Sequence, residues 1–177
     1  EGGSGAGGGV SEIERVRERI FMDKDSVVLI SGCSSGIGLS LAREFASRGC
    51  RVFATARNPG RIEYLKKEKM EVAALDVTDQ KAIDACVAEV MARAGRIDAL
   101  VNNAGYALMG PMIDLSMDDL KRQFETNVIG LIALTQAVAP HMIKRCSGMI
   151  VNMASVSGIL ATPFAGAYCA SKAAVNL

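Results

Sequence analysis

Val27-Val28-Leu29-Ile30-Ser31-Gly32-Cys33-Ser34-Ser35-Gly36-Ile37-Gly38 is the stretch whose reading decides the fold. An uninterrupted apolar run of strand length enters three glycines, after which Ile37, Leu41 and Phe45 recur at helical spacing. A strand that turns through Gly32-x-x-x-Gly36-x-Gly38 directly into a helix brings free backbone amides and the positive end of a helix to one point, and glycine lets the backbone approach a phosphate closely. Gly32, Ser34, Ser35, Gly36, Ile37 and Gly38 are therefore candidate anion-binding residues. The spacing is not the commoner G-x-G-x-x-G and includes no P-loop lysine. Taken alone, three glycines equally suit a tight strand-to-helix connection.

Working outward, the same alternation continues. Candidate strands are Val27 to Ser31, Arg51 to Ala56, Glu71 to Leu75, Asp98 to Asn102 and Met149 to Ala154, read as nearly continuous apolar runs covered on both faces. Helical spacing is carried by Ile83, Val87, Val90 and Met91, by Leu120, Phe124, Val128, Leu131 and Leu134, and by Ala167 to Leu177. Strand and helix in alternation predict an α/β fold, a doubly wound parallel sheet in three α/β/α layers. That architecture has six strands in the order 3-2-1-4-5-6. Only five are found, so the last is expected to lie past Leu177, leaving Met149 to Ala154 as an exposed edge. Residues 26–177 are read as one dinucleotide-binding domain, incomplete at its C-terminus. Residues 1–25 are read as a leader: a glycine-rich stretch from Glu1 to Gly9 expected to be flexible, then a short amphipathic helix, Ser11 to Met22, with Ile13, Val16 and Ile20 on one face.

Composition excludes several partners. Among 177 residues, 20 Lys and Arg oppose 19 Asp and Glu, a net charge of +1, which provides no field to draw the chain onto nucleic acid or an anionic membrane. The longest apolar stretch, Val128 to Ala139, contains Thr135 and Gln136 and is shorter than the ~20 residues of a membrane span, so no span is expected. Cys33, Cys50, Cys86, Cys146 and Cys169 form no C-x-x-C pair, and His141 is the one imidazole. No metal site is expected; such cysteines act as small buried hydrophobes and suit a reducing, intracellular compartment, with the cytoplasm as the expected location.

At the end of the second strand the chain reads Ala54-Thr55-Ala56-Arg57-Asn58. An acidic residue there would accept hydrogen bonds from the ribose hydroxyls of NAD; Ala56 occupies that place and Arg57 follows. A guanidinium pairs bidentately with a 2′-phosphate, which favours NADP as the cofactor. The alternative is that Arg57 is a solvated charge, since Arg61 is nearby.

Tyr168 and Lys172, four residues apart, share one face of a helix. A phenol exchanges protons near neutral pH only where something favours its phenolate, as an adjacent ammonium does. Alone, such a pair is common on helix surfaces. Here Ser155 closes the fifth strand, at the carboxyl edge where open α/β sheets bind ligands. Asn127 interrupts an apolar helical face and is equally a structural link or an organiser of ordered water. Asn102-Asn103-Ala104-Gly105 ends the fourth strand with small and amide side chains suited to close approach of a cofactor, or simply to a turn.

The set Gly32-x-x-x-Gly36-x-Gly38, Asp76-Val77, Asn102-Asn103-Ala104-Gly105, Asn127, Ser155 and Tyr168-x-x-x-Lys172, in this order, resembles the classical short-chain dehydrogenase/reductases. VVLISGCSSGIG and VFATARN are similar to NADP-dependent members acting on lipids, such as hydroxysteroid dehydrogenases and acyl-dihydroxyacetone-phosphate reductases. The resemblance implies that Tyr168 exchanges a proton with the substrate oxygen while hydride passes to or from nicotinamide, and that Ser155 holds that oxygen. It further implies that Lys172 binds the nicotinamide ribose and favours the phenolate, Asn127 positions a relay water, Asp76 meets adenine and Asn103 the adenosine side. In the family the helix bearing Tyr168 packs in a dimer interface, so a homo-oligomer is expected of a full-length protein.

The expected function is an NADP-dependent carbonyl reductase or alcohol dehydrogenase acting on a small hydrophobic substrate. Tyr106, Leu108, Met109, Ile159, Leu160 and Phe164 are expected to flank its pocket. The alternative is a catalytically silent remnant, a nucleotide-binding or interaction module, because the next strand and the loop closing over substrate are missing from the motif set.

Overall fold

Residues 23–177 are described by a computed structural model; the expectations for the glycine-rich leader and for the helix Ser11 to Met22 lie outside them. Five strands, β1 (Val27–Ile30), β2 (Arg51–Ala56), β3 (Glu71–Ala74), β4 (Ala99–Asn102) and β5 (Met149–Asn152), pair in parallel in the order β3-β2-β1-β4-β5. The sheet is wrapped by α1 (Gly36–Ser47), α2 (Gln80–Ala94), α3 (Met117–Phe124), α4 (Gly130–Lys144) and α5 (Gly166–Asn176). This is the doubly wound arrangement expected from the sequence.

All four residues of β1 are buried, and their alternation divides the core in two. Val27 and Leu29 point into a cluster with Phe53, Val87, Val90, Leu134 and Val138, under α2 and α4. Val28 and Ile30 point the other way, into a cluster with Val52, Ala54, Ala42, Ile62 and Leu65. A helix layer on each side gives the three-layer sandwich. The edge strand β5 corrects the two-sided reading of its apolar run: Met149 and Val151 are half-buried, whereas Ile150 and Asn152 are exposed. Among the described residues it pairs through β4 alone.

Two elements differ from the sequence reading. Pro59–Glu68 forms a 3-10 helix, started by Asn58, whose side chain accepts from the Gly60 N–H, and ended at Lys69 in the left-handed region. Its anchors Ile62 and Leu65 are three residues apart, the repeat of a 3-10 turn, and both are fully buried. The second difference lies between α3 and α4, where Glu125–Ile129 makes a π turn. The extra residue rotates the buried stripe onto Gln123, Asn127, Gly130, Leu134, Val138 and Met142. Leu120, Phe124, Val128 and Leu131, expected at its centre, are only half-buried.

Because α3, the π turn and α4 are continuous, Met117–Lys144 is a 28-residue helix whose most apolar window has a mean hydropathy of 1.3. By length and composition it could cross a membrane, which the shorter stretch Val128 to Ala139 could not. In this fold its Leu134, Val138 and Met142 pack in the core beneath β1 and β4.

Candidate active site

Strand order reverses between β1 and β4, and the crevice beyond their carboxyl ends is where open α/β sheets bind ligands. A cleft of about 800 Å³ opens there. Gly32, Ser34, Ser35, Gly36 and Ile37 line one side of it. Gly32 (φ 76°) and Gly36 (φ 60°) take left-handed backbone. Gly38 lies outside the lining, packed under the turn, where a Cβ would sit 2.4 Å from both the Gly32 carbonyl oxygen and Asn103 Nδ2. Ser35, the residue before α1, makes no side-chain cap, so the first N–H groups of that helix gain no partner from it. An anion in the cleft can supply one.

Cys33, inside this turn, is structural. Its N–H donates to the Thr55 carbonyl at 2.7 Å and its thiol to the Ile30 carbonyl at 3.3 Å. Burial pushes the thiol pKa up to about 12.

Ala56, Arg57 and Asp76, at the ends of β2 and β3, line the same cleft. Asp76 Oδ1 accepts from the Thr78 N–H at 3.0 Å and from Thr78 Oγ1 at 2.8 Å, which fixes the carboxylate plane. Asn103 also lines the cleft, and its side-chain amide is turned to the glycine turn. Its Nδ2 donates to the carbonyls of Ser31 and Gly32, each at 3.0 Å.

Across the cleft, α5 presents Tyr168 and Lys172 together. Lys172 Nζ donates to the Met153 carbonyl at 2.6 Å and lies 5.9 Å from the centre of the Tyr168 ring. The lysine is 7% exposed, and burial, which penalises the charged form, lowers its pKa. The structure thus brings the glycine turn, Arg57, Asp76, Asn103, Tyr168 and Lys172 to one cleft.

Ser155 and Asn127 stand outside that lining. Ser155 starts the turn Val156–Gly158, and its Oγ accepts from the Ser157 N–H at 3.2 Å. Asn127, 1% exposed in the π turn, bonds to the backbone of Tyr106 and to Ser171 Oγ, and Ser171 Oγ donates to the Tyr168 carbonyl at 2.8 Å. Asn127 thereby ties the loop after β4 to the helix that carries the phenol. Of the six apolar residues expected around a substrate pocket, Tyr106 lines the cleft; Leu108 is half-buried outside it, and Met109, Ile159, Leu160 and Phe164 are exposed outside it. The two loops bearing them are joined where the Gly110 N–H donates to the Phe164 carbonyl at 2.7 Å.

Sequence reading missed Ser171 and Gln123. Ser171 sits within the Tyr168-x-x-x-Lys172 spacing as an unspecified position. Gln123 precedes Asn127 by four residues, a second amide on the same helical face, and that repetition was the available signal. Arg122, Glu125 and Thr126 also line the cleft without having been anticipated.

The family model for short chain dehydrogenases matches residues 26–177. The chain is 36% identical over 176 residues to the Bos taurus protein named dehydrogenase/reductase SDR family member 7B, covering 93% of this chain and 54% of that one. It is 40% identical over 159 residues to Homo sapiens retinol dehydrogenase 8, covering 84% of this chain and 50% of that one. The chain therefore spans about half the length of these curated relatives. Among solved structures, a gluconate 5-dehydrogenase from Burkholderia cenocepacia, in complex with NADP and tartrate, superposes with a TM-score of 0.81 at 36% identity, covering 90% of this chain and 65% of that one. With the parallel sheet, the glycine turn and the paired phenol and amine already in place, the match over residues 26–177 establishes that this chain belongs to the short-chain dehydrogenase family.

Proposed function

We propose that the chain binds NADP(H) in the cleft and carries the proton-transfer residues of an oxidoreductase that interconverts a carbonyl and an alcohol on a hydrophobic, lipid- or steroid-like substrate. The observation that carries this reading is that the glycine turn, Arg57, Tyr168 and Lys172 line a single cleft. A dinucleotide fits these residues: an uncapped helix N-terminus opens on the cleft, the Gly32 and Gly38 positions leave no room for a Cβ, and a guanidinium follows Ala56. When bound, the cofactor supplies or accepts the hydride.

The protein's own groups orient and move the proton. Tyr168 gives a proton to the carbonyl oxygen or takes one from the alcohol. Lys172, anchored on the Met153 carbonyl, holds a positive charge beside that ring. Ser155 Oγ accepts from Ser157, which leaves its own O–H to donate to the substrate oxygen. NADP in the gluconate 5-dehydrogenase structure and the name of retinol dehydrogenase 8 support the cofactor and the apolar substrate.

The test is single-turnover oxidation of NADPH with a panel of hydrophobic ketones and aldehydes, comparing wild type with Tyr168→Phe. Loss of turnover with NADPH fluorescence enhancement retained is the expected result; equal rates would remove Tyr168 from the chemistry. A second reading, nucleotide binding without turnover, is favoured by the position of Ser155 outside the cleft lining. Fluorescence enhancement with no wild-type turnover would select it.

A further inference from the structure

Behind the cleft, two buried amides hold a loop as a neighbouring strand would. Gln123 is 0% exposed and Asn127 1%. Gln123 Oε1 accepts from the Leu108 N–H at 2.7 Å, and Gln123 Nε2 donates to the Tyr106 carbonyl at 2.8 Å. Asn127 Oδ1 accepts from the Tyr106 N–H at 3.1 Å, and Asn127 Nδ2 donates to the same carbonyl at 3.0 Å. Both lone pairs of the Tyr106 carbonyl are thus used, and successive backbone groups of Tyr106 and Leu108 are satisfied by side chains. The segment from Asn103 to Met109 has no strand or helix of its own. Tyr106 and Ala107 line the cleft, and the bond from Gly110 to Phe164 carries the loop on to its neighbour.

Space filling does not account for a glutamine here. Burying an amide is unfavourable unless its donors and acceptors are paired, so apolar residues dominate sites where only volume matters. Both amides serve Tyr106; Asn127 also reaches the catalytic helix through Ser171, whereas Gln123 reaches Leu108. We infer that Gln123 is a positioning residue: it fixes the Tyr106–Leu108 backbone, and through that backbone the wall of the cleft that meets the substrate. The inference rests on the oxidoreductase reading above and adds a determinant of substrate binding to it.

The test combines amide hydrogen exchange, read by NMR on the full chain, with steady-state kinetics using NADPH and a hydrophobic ketone that wild type reduces. In Gln123→Leu the Leu108 amide loses its acceptor. A buried hydrogen bond of about 1.4 kcal/mol or more translates into at least about tenfold faster exchange at Leu108 and at least about tenfold higher KM. kcat and the Kd for NADPH stay unchanged, because the side-chain hydrogen bonds of Gln123 go to the Tyr106–Leu108 backbone and not to α5 or the glycine turn. Gln123→Glu keeps the acceptor for Leu108, and its carboxyl, held protonated by burial, donates to the Tyr106 carbonyl as the amide did, so Leu108 protection and KM both return towards wild type.

Unchanged Leu108 exchange in Gln123→Leu overturns the inference, as does a fall in kcat with KM unchanged. Should Gln123→Leu fail to fold, Gln123→Asn decides: one methylene shorter, it cannot span to the Leu108 N–H, so faster Leu108 exchange with a raised KM supports the inference, and an unaltered KM overturns it. A wild type that reduces no ketone overturns the oxidoreductase reading instead, and Leu108 exchange then decides whether Gln123 fixes the loop.

Discussion

Asn103 donates two hydrogen bonds to Ser31: its N–H to Ser31 Oγ at 3.0 Å, and its Nδ2 to the Ser31 carbonyl at 3.0 Å. The end of β4 is thereby latched to the end of β1, across the point where strand order reverses. Ser31 Oγ also accepts from the Ala104 N–H at 2.9 Å, so three consecutive backbone and side-chain groups hold the glycine turn from below. The floor of the turn is thus built from the residues that follow β4.

Gly38→Ala tests that floor. A Cβ there would lie 2.4 Å from the Gly32 carbonyl oxygen, a backbone atom that can yield only if the turn moves. Overpacking of this kind costs about 1–3 kcal/mol, and a displaced turn also loses its ligand geometry. Urea denaturation should show the stability loss, and NADPH titration a Kd raised by about tenfold or more, which corresponds to about 1.4 kcal/mol. An alanine tolerated in both measurements would mean that the turn is not seated on Asn103.

Arg57 should set the choice of cofactor. It lines the cleft directly after Ala56, a position that offers no carboxylate to the ribose. Hydrogen bonds to a charged partner contribute about 1.5–3 kcal/mol, so Arg57→Ala should weaken NADPH binding by about 10- to 100-fold. NADH binding should stay as it is, and Ala56→Asp should then favour NADH. Parallel loss of both cofactors in Arg57→Ala would show that the guanidinium supports the fold and not the 2′-phosphate.

Thiol reactivity should report on the turn. The Cys33 and Cys86 thiols are buried, and desolvation pushes each pKa up to about 12, whereas Cys146 is exposed. The thiolate is the nucleophile, so iodoacetamide at about pH 8 should label Cys146 first and reach Cys33 only as the chain unfolds. Mass mapping over time checks the order. Early labelling of Cys33 would mean that the glycine turn opens locally.

The parts of this structure that were legible in the sequence are those with local signals. The β1 run, the three glycines and the periodicity from Ile37 to Phe45 lie within twenty consecutive residues, and Tyr168 and Lys172 meet because any helix brings residues four apart together. The direction of the Asn103 amide was not legible, because it depends on the pairing of β1 with β4, more than seventy residues away in the chain. The same holds for the long helix. Its apolar residues fit an uninterrupted α-helix through Leu120, Phe124 and Val128, whereas the π turn goes with the bonds that Gln123 and Asn127 make to a loop distant in sequence. Pro59–Glu68 escaped notice because two buried anchors in ten residues do not make a period.

Lys172 gives the site a pH signature of defined sign. Burial lowers its pKa below the ordinary 10.5, so between that lowered value and 10.5 the unfolded chain binds more protons than the folded one. Stability linked to this lysine therefore rises with pH across that window, is complete above 10.5, and is lost as pH falls through the folded value. Lys172→Met removes the titrating group together with the bond to the Met153 carbonyl. Wild type should gain on the variant in denaturation midpoint as pH is raised towards 10.5, because the neutral amine still donates to Met153 without the desolvation penalty. Urea midpoints for both proteins, measured across alkaline pH, check the slope. A difference that is flat or narrows with rising pH would mean that the ammonium is better solvated in the folded chain than its 7% exposure implies, and that the charge beside Tyr168 is held by water as much as by the protein.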